Sequence, residues 1–276
     1  MTIAGAIADY LDENALAAAI EHAGAAVREA PQDRTARGLF IDLLVLAGAY
    51  ERADKQCAVA TSLDPEEAVG LARLRAELRA MAARDAFFET GAVPDFPGGP
   101  SERDQLALKL SIAHRDANAK AAFAALEALE AARGVRPMTV NGALVEDFRD
   151  CDDRIPHALE ALSSGGAYLW IDFERIQTLT IAPMTRPRDL AFRPAELGLT
   201  DGSVGPVLLP MIYHGTGDEP ALRLGRETVW DECPSGITAG RGQRCFLSGD
   251  ALMAAHELET LASATVGNSA AEARRG

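Results

Sequence analysis

At 276 residues the chain is long enough to bury a core of its own, which excludes folds stapled by disulfides or metals in place of a core. With 48% apolar and 25% charged residues it is neither wholly disordered nor fibrous. Twenty-seven basic against 41 acidic residues leave a net charge of −14, and no basic stretch offsets it, so no nucleic acid partner is expected; no stretch approaches eighteen uncharged apolar residues, so no membrane insertion is expected either.

From Ile3 to about Arg133 the chain is rich in Ala, Leu, Glu and Arg, with apolar residues recurring every three or four positions. This predicts helices over residues 3–12, 14–29, 34–49, 50–62, 65–90, 102–113 and 116–133, punctuated by Pro31, Gly48, Pro65, Gly91 and Gly134. A shift of 34 residues lays Ala19, Ala23, Ala26 and Pro31 on Ala53, Cys57, Ala60 and Pro65, and Leu16 on Tyr50. These are the positions of the second helix of a tetratricopeptide unit, where small residues let two helices approach closely. The first-helix signature is weaker: Phe40 and Leu44 are suitably large, but Ile41 stands where a small residue is usual. Residues 116–133 read as a degenerate later copy, with Ala122, Phe123 and Leu126 on one face. Residues 91–104, GAVPDFPGGPSERD, hold three prolines and three glycines and read as a long loop inside the helical half.

After Arg133 the runs become short and alternating, and β-branched and aromatic residues rise. Strands are predicted over residues 138–141, 143–148, 167–173, 176–181, 204–212, 227–232 and 243–247, with a tight turn at Asn141-Gly142 and a short helix over 154–163. The fold class is α+β: an all-helical, tetratricopeptide-like domain over 1–134, then a small, mostly antiparallel β domain with a short helix over 135–262. Residues 263–276 are expected to form a disordered tail.

Cys57, Cys151, Cys233 and Cys245 lie far apart without a C-x-x-C, and the first residues carry acids where a secretory signal needs bases, so a reduced cytoplasm is expected. With only Lys55, Lys109 and Lys120, the other 24 basic residues are Arg, suited to fixed pairs with carboxylates.

The densest polar cluster is Asp147, Asp150, Cys151, Asp152, Asp153, Arg154 and His157. One reading is a metal-dependent hydrolase or transferase centred on Asp150, Asp152, Asp153 and His157. The other, which we expect, is that Asp152 or Asp153 caps the helix starting near Arg154, with local ion pairs. Gly240-Arg241-Gly242-Gln243-Arg244 lacks the Lys-Ser/Thr of a phosphate-binding loop and is expected to be a turn. His22, His114, His214 and His256 are scattered, and no nucleophile elbow is present. We therefore assign no catalytic residue, metal ligand or cofactor. In the strand over 167–173, Tyr168 and Trp170 share one face and Leu169, Ile171 and Phe173 the other. One face must be core; aromatic residues on the opposite face would anchor a partner, so Tyr168 and Trp170 are candidate partner-binding residues, with core on both sides as the alternative.

Four stretches, residues 41–96, DDRIPHALEALSSGGAYLWIDFERI, RPRDLAFRPAEL and GRGQRCF, together resemble the ImpE family, also called TagJ, over about residues 5–250. The resemblance implies a cytoplasmic, non-enzymatic adaptor of bacterial type VI secretion systems. It implies as partner the small subunit of the contractile sheath, held through its N-terminal helix, and a role in sheath assembly or recycling. Asp172 departs from the family pattern, in which an uncharged residue is more usual at that position.

Overall fold

The computed structural model describes residues 2–264. Seven helices come first: α1 (Ile3–Asp12), α2 (Leu16–Glu29), α3 (Arg34–Leu46), α4 (Tyr50–Leu63), α5 (Ala68–Thr90), α6 (Glu102–Arg115) and α7 (Ala119–Arg133). Their ends follow from local chemistry. Thr2 and Asp33 side chains accept the Gly5 and Ala36 N–H groups, Ser101 and Asp104 form a reciprocal capping box, and Gly91 ends α5 at φ 79°. The expected helix over 65–90 opens instead with a 3-10 turn, Pro65–Glu67. Ala19, Ala23, Ala53 and Cys57, related by the 34-residue shift, are each 0% exposed, so any larger side chain would push neighbouring helices apart.

The strands are β1 (Met138–Val140), β2 (Ala143–Val145), β3 (Phe148–Asp150), β4 (Ala158–Ser163), β5 (Tyr168–Asp172), β6 (Ile176–Ile181), β7 (Phe192–Leu199), β8 (Val204–Pro210), β9 (Thr228–Glu232), β10 (Thr238–Gly242), β11 (Cys245–Ser248), β12 (Ala251–Ala254) and β13 (Thr260–Ser263). Eight of them form one sheet in the order β2-β1-β13-β6-β7-β8-β4-β5, antiparallel throughout; β9 and β10 pair separately, as do β12, β11 and β3. Asn141 and Gly142 turn the β1–β2 hairpin with φ 48° and 82°, the positive angles for which the pair is suited. One face of the large sheet packs Ala158, Leu162, Trp170 and Leu208 into the core of the helices; the other packs Leu159, Ile171 and Leu179 against Phe148 and Phe246 of the small sheet.

Three expectations are corrected. Residues 154–163 are not a helix: 158–163 form β4, a central strand whose residues 158–162 are all buried, so burial on both faces overrides the helix preference of Ala-Leu-Glu-Ala-Leu. The short helix of this half is a single turn elsewhere, α8 (Pro220–Arg223). Gly240, Arg241 and Gly242 lie in β10 rather than in a turn. A Cβ on Gly240 would stand 2.3 Å from the Tyr213 ring, and one on Gly242, φ 83°, would stand 2.1 Å from the Glu227 carbonyl; these glycines permit close approach. The expected tail begins at 263, but Ser263 ends β13, and residues 265–276 lie outside the described residues.

Candidate functional site

The helical half meets the sheet half through α3, α5 and α6. Most of α3 is buried, including Arg37 and Asp42. Residues 185–190 of the sheet half seat on it, where the Arg186 Nε–H donates to Asp42 Oδ2 at 2.8 Å and Arg188 Nη1 stands 3.7 Å from Oδ1. Burial raises the Asp42 pKa in spite of Arg186, and burial lowers that of Arg188.

Beside this contact a cleft of about 740 Å³ stays open, within the roughly 300–1,000 Å³ of clefts that bury a ligand. The start of α3, the end of α4 and the start of α5 form one wall; residues 185–189, Pro194 and Leu208 form the other. Ile41, Leu71, Leu74 and Leu208 supply apolar surface, and five arginines face five carboxylates along the lining. Buried acids hold exposed arginines at the rim: Asp64 holds Arg34 at 2.5 Å and Glu77 holds Arg73 at 2.9 Å.

The acidic cluster singled out from the sequence is spent on the fold. Asp150 accepts from Arg244 at 3.0 Å and lies 3.0 Å from the Tyr213 hydroxyl. Asp152 does not cap a helix; it accepts the Arg154 and Gly240 N–H groups at 2.9 and 3.0 Å and pairs with the Arg154 guanidinium, tying the loop to β10. Asp153 does the same through the Thr238 N–H at 2.9 Å and Arg149 at 2.9 Å. His157 turns to the other side, its Nε2 3.0 Å from Asp104, the capping acid of α6. Among the described residues no group of three or more His, Cys, Asp or Glu is placed to hold a metal ion.

Tyr168 and Trp170 are 3% and 1% exposed, so they do not present a surface to a partner. They face α5, where the Trp170 ring packs edge-on against Phe87 with centroids 5.0 Å apart, and the Trp170 indole N–H donates to the Tyr168 hydroxyl at 2.8 Å. That hydroxyl donates to Glu160 at 2.5 Å, and Glu160 also takes the Arg84 Nε–H at 2.7 Å and a contact from Arg244. Their role is to join the two halves. Asp172 accepts from Arg103 at 2.7 Å and Ser101 at 3.1 Å, anchoring the start of α6 to β5.

These buried carboxylates predict how stability varies with pH. Burial raises Asp150 to about 6 against the pull of Arg244, and burial also raises Asp42, Asp85 and Asp153. An acid whose folded pKa is raised binds protons more readily when folded, so its cost at neutral pH is relieved as pH falls from about 6 toward about 4. Asp104, Asp147 and Asp152 are shifted the other way: burial pushes each up but is outweighed, for Asp104 by His157 and Ser101, for Asp147 by Arg133 and for Asp152 by Arg154. Their stabilisation is full above about pH 4 and is lost below it. Burial also holds His114, His214 and His256 below the ordinary histidine value, His214 at about 3, so these neutral imidazoles cost stability as pH falls below about 6.5 and oppose that relief. Replacing His214 by Gln should therefore raise the urea midpoint at about pH 5 relative to that at about pH 7, compared with wild type; an unchanged difference between the two pH values would contradict the arrangement.

Residues 142–262 match the family model for ImpE protein. Over 226 residues the chain is 31% identical to the type VI secretion system accessory component TagJ of Pseudomonas aeruginosa, spanning 80% of this chain and 78% of that protein. The chain belongs to the ImpE family. A crystal structure of protein VPA1032 from Vibrio parahaemolyticus is also similar, at 28% identity and a TM-score of 0.86, covering 93% of this chain and 96% of that one. The likeness to that crystal structure spans both the helices and the sheet. Among the described residues no helix is long and apolar enough to cross a membrane.

No motif in the sequence points to the cleft. Gly38 and Gly70 interrupt helical patterns there, and Arg186, Arg188 and Asp189 stand within the RPRDLAFRPAEL stretch without any local sign that they line a cavity. The helical glycines are the available signal, since glycine within a helix is unfavourable without a packing reason.

Proposed function

We propose that this ImpE-family chain is a non-enzymatic, cytoplasmic adaptor of a bacterial type VI secretion system. Its helical half is read as tetratricopeptide-like, and it holds the N-terminal helix of the small contractile-sheath subunit, modulating sheath assembly or recycling. The observation that carries this reading is the 31% identity to a type VI secretion system accessory component over four-fifths of the chain, spanning helices and sheet alike. An adaptor needs a rigid body and an open surface. The acids near residue 150 hold the body together, and a cleft of about 740 Å³ remains open where the halves meet. Isothermal titration of the full chain with a synthetic peptide of the first helix of the sheath subunit is expected to give saturable, one-to-one heat. Absence of heat and of pull-down by the immobilised peptide would overturn the reading.

A further inference from the structure

We infer that the cleft beside α3 binds a small carboxylate with an apolar body, its two oxygens on Arg188 and its body on Ile41, Leu71, Leu74 and Leu208. This goes beyond the adaptor function and does not depend on it. The observation that carries it is a guanidinium with unused donors. Four of the five arginines in the lining are committed: Arg34 to Asp64, Arg37 to Gln56 and the Pro31 carbonyl, Arg73 to Glu77, and Arg186 to Asp42. Arg188 makes no hydrogen bond with any described residue, and its nearest acid, Asp42, stands 3.7 Å from Nη1. Nη1 is shut off from solvent, but Nε and Nη2 are not, and the side chain lines the cleft with 14% of its surface open. The Nε–Nη2 edge is the fork with which Arg75, Arg84 and Arg241 each grip a carboxylate elsewhere in this chain.

Arg188 is held in place beforehand. Asp189 accepts the Thr185 and Arg186 N–H groups and so fixes the 3-10 turn Pro187–Leu190, which seats on α3. Burial lowers the Arg188 pKa even with Asp42 nearby, whereas for Arg186 burial is outweighed by the hydrogen bond to Asp42 and the pKa is raised. The two differ in that one has an acceptor and the other has none, and a bound carboxylate would supply two. Net charge does not attract an anion here: the five arginines and five acids of the lining cancel, Asp42 adds one negative charge and the chain carries −14. Local hydrogen bonding therefore decides. Phosphate, which needs donors around more oxygens, finds the other four arginines committed and Asp33 already capping the N-terminus of α3. A single fork beside apolar walls suits a monocarboxylate, and the volume of about 740 Å³ suits a small molecule.

The test titrates the full chain with octanoate by calorimetry, with octanol, acetate and inorganic phosphate as controls. Octanoate should bind saturably and one-to-one, with octanol, acetate and phosphate each weaker by about tenfold or more. It should also raise the melting temperature of wild type. Arg188→Lys keeps the charge without the fork, and should weaken octanoate by about tenfold or more and abolish that rise. Gly38→Leu lines the same cleft, and a Cβ there meets nothing within 4 Å, so it should keep the native circular dichroism and block octanoate without altering Arg188. No saturable octanoate heat would overturn the inference. Octanol binding as tightly as octanoate would make the cleft a plain apolar pocket, and phosphate binding most tightly would give it to a different anion; either overturns it. Wild-type octanoate affinity in Arg188→Lys or in Gly38→Leu would overturn it equally.

Discussion

Replacing Glu160 by Gln should cost about 3–5 kcal/mol of folding stability, the usual consequence of stranding a buried charge by removing its partner. Glu160 sits on β4 with a side chain 3% exposed, facing Arg84 of α5 at 4% and Arg244 at 2%. It receives the Tyr168 hydroxyl as well. Burial drives the Arg244 pKa down to about 10, against the pull of Asp150, so this guanidinium is costly to keep charged and depends on its two carboxylates. Neutralising Glu160 leaves Arg244 with Asp150 alone and Arg84 with only the Ile212 carbonyl, both guanidinium groups being buried. The urea midpoint should fall with the slope of the transition unchanged, because the folded state loses an interaction and not its compactness. Replacing Arg84 and Glu160 together by Met should recover part of the loss, since removing both charges of a buried pair is far less costly than removing one. A loss below about 1 kcal/mol, the range of exposed pairs, would show that the network is solvated and does not join the halves.

What the sequence made legible follows from where each residue gets its preference. Helices α1 to α7 were readable because Ala, Leu, Glu and Arg carry their propensity locally and because Pro65, Gly91 and Gly134 mark boundaries by backbone geometry. The same locality made Asn141-Gly142 readable as a hairpin turn and residues 176–181 as β6. β4 failed for the complementary reason: Ala158–Ser163 has helical composition and becomes a strand only because β5 and β8 flank it on both sides. β7 was missed because Pro194 within it argues against a strand, although in the fold the Pro194 carbonyl still accepts the Ala182 N–H. Asp152 and Asp153 were read as capping a helix with local ion pairs; the ion pairs to Arg154 and Arg149 form, but no helix is there to cap, and the other groups they hold, the Gly240 and Thr238 N–H, lie more than eighty residues on. The cleft was illegible for the same reason: α3, α5 and residues 185–189 meet only in three dimensions, and no stretch of sequence announces a surface made of all three.

Replacing Trp170 by Ala should destabilise the chain by about 3–5 kcal/mol, as expected for truncating a fully buried large aromatic side chain. Its ring fills the space between Phe87 of α5, Phe96 of the 91–104 loop and His157, with centroids 5.0, 5.9 and 5.9 Å away. Truncation would leave a cavity at the seam and remove the indole N–H from the Tyr168 hydroxyl, which in turn serves Glu160. Trp170→Phe separates the two effects: it keeps most of the packing and loses the hydrogen bond, so its cost should be about 1–2 kcal/mol. The pair also discriminates between the two roles the sequence left open. A partner anchor would lose peptide binding on substitution while the unfolding midpoint stayed in place. A seam residue does the reverse, so once titration heats are corrected for the folded fraction, the peptide affinity of Trp170→Phe should equal that of wild type. Wild-type stability in Trp170→Ala together with lost binding would return Trp170 to the partner surface and require the seam to open when the partner docks.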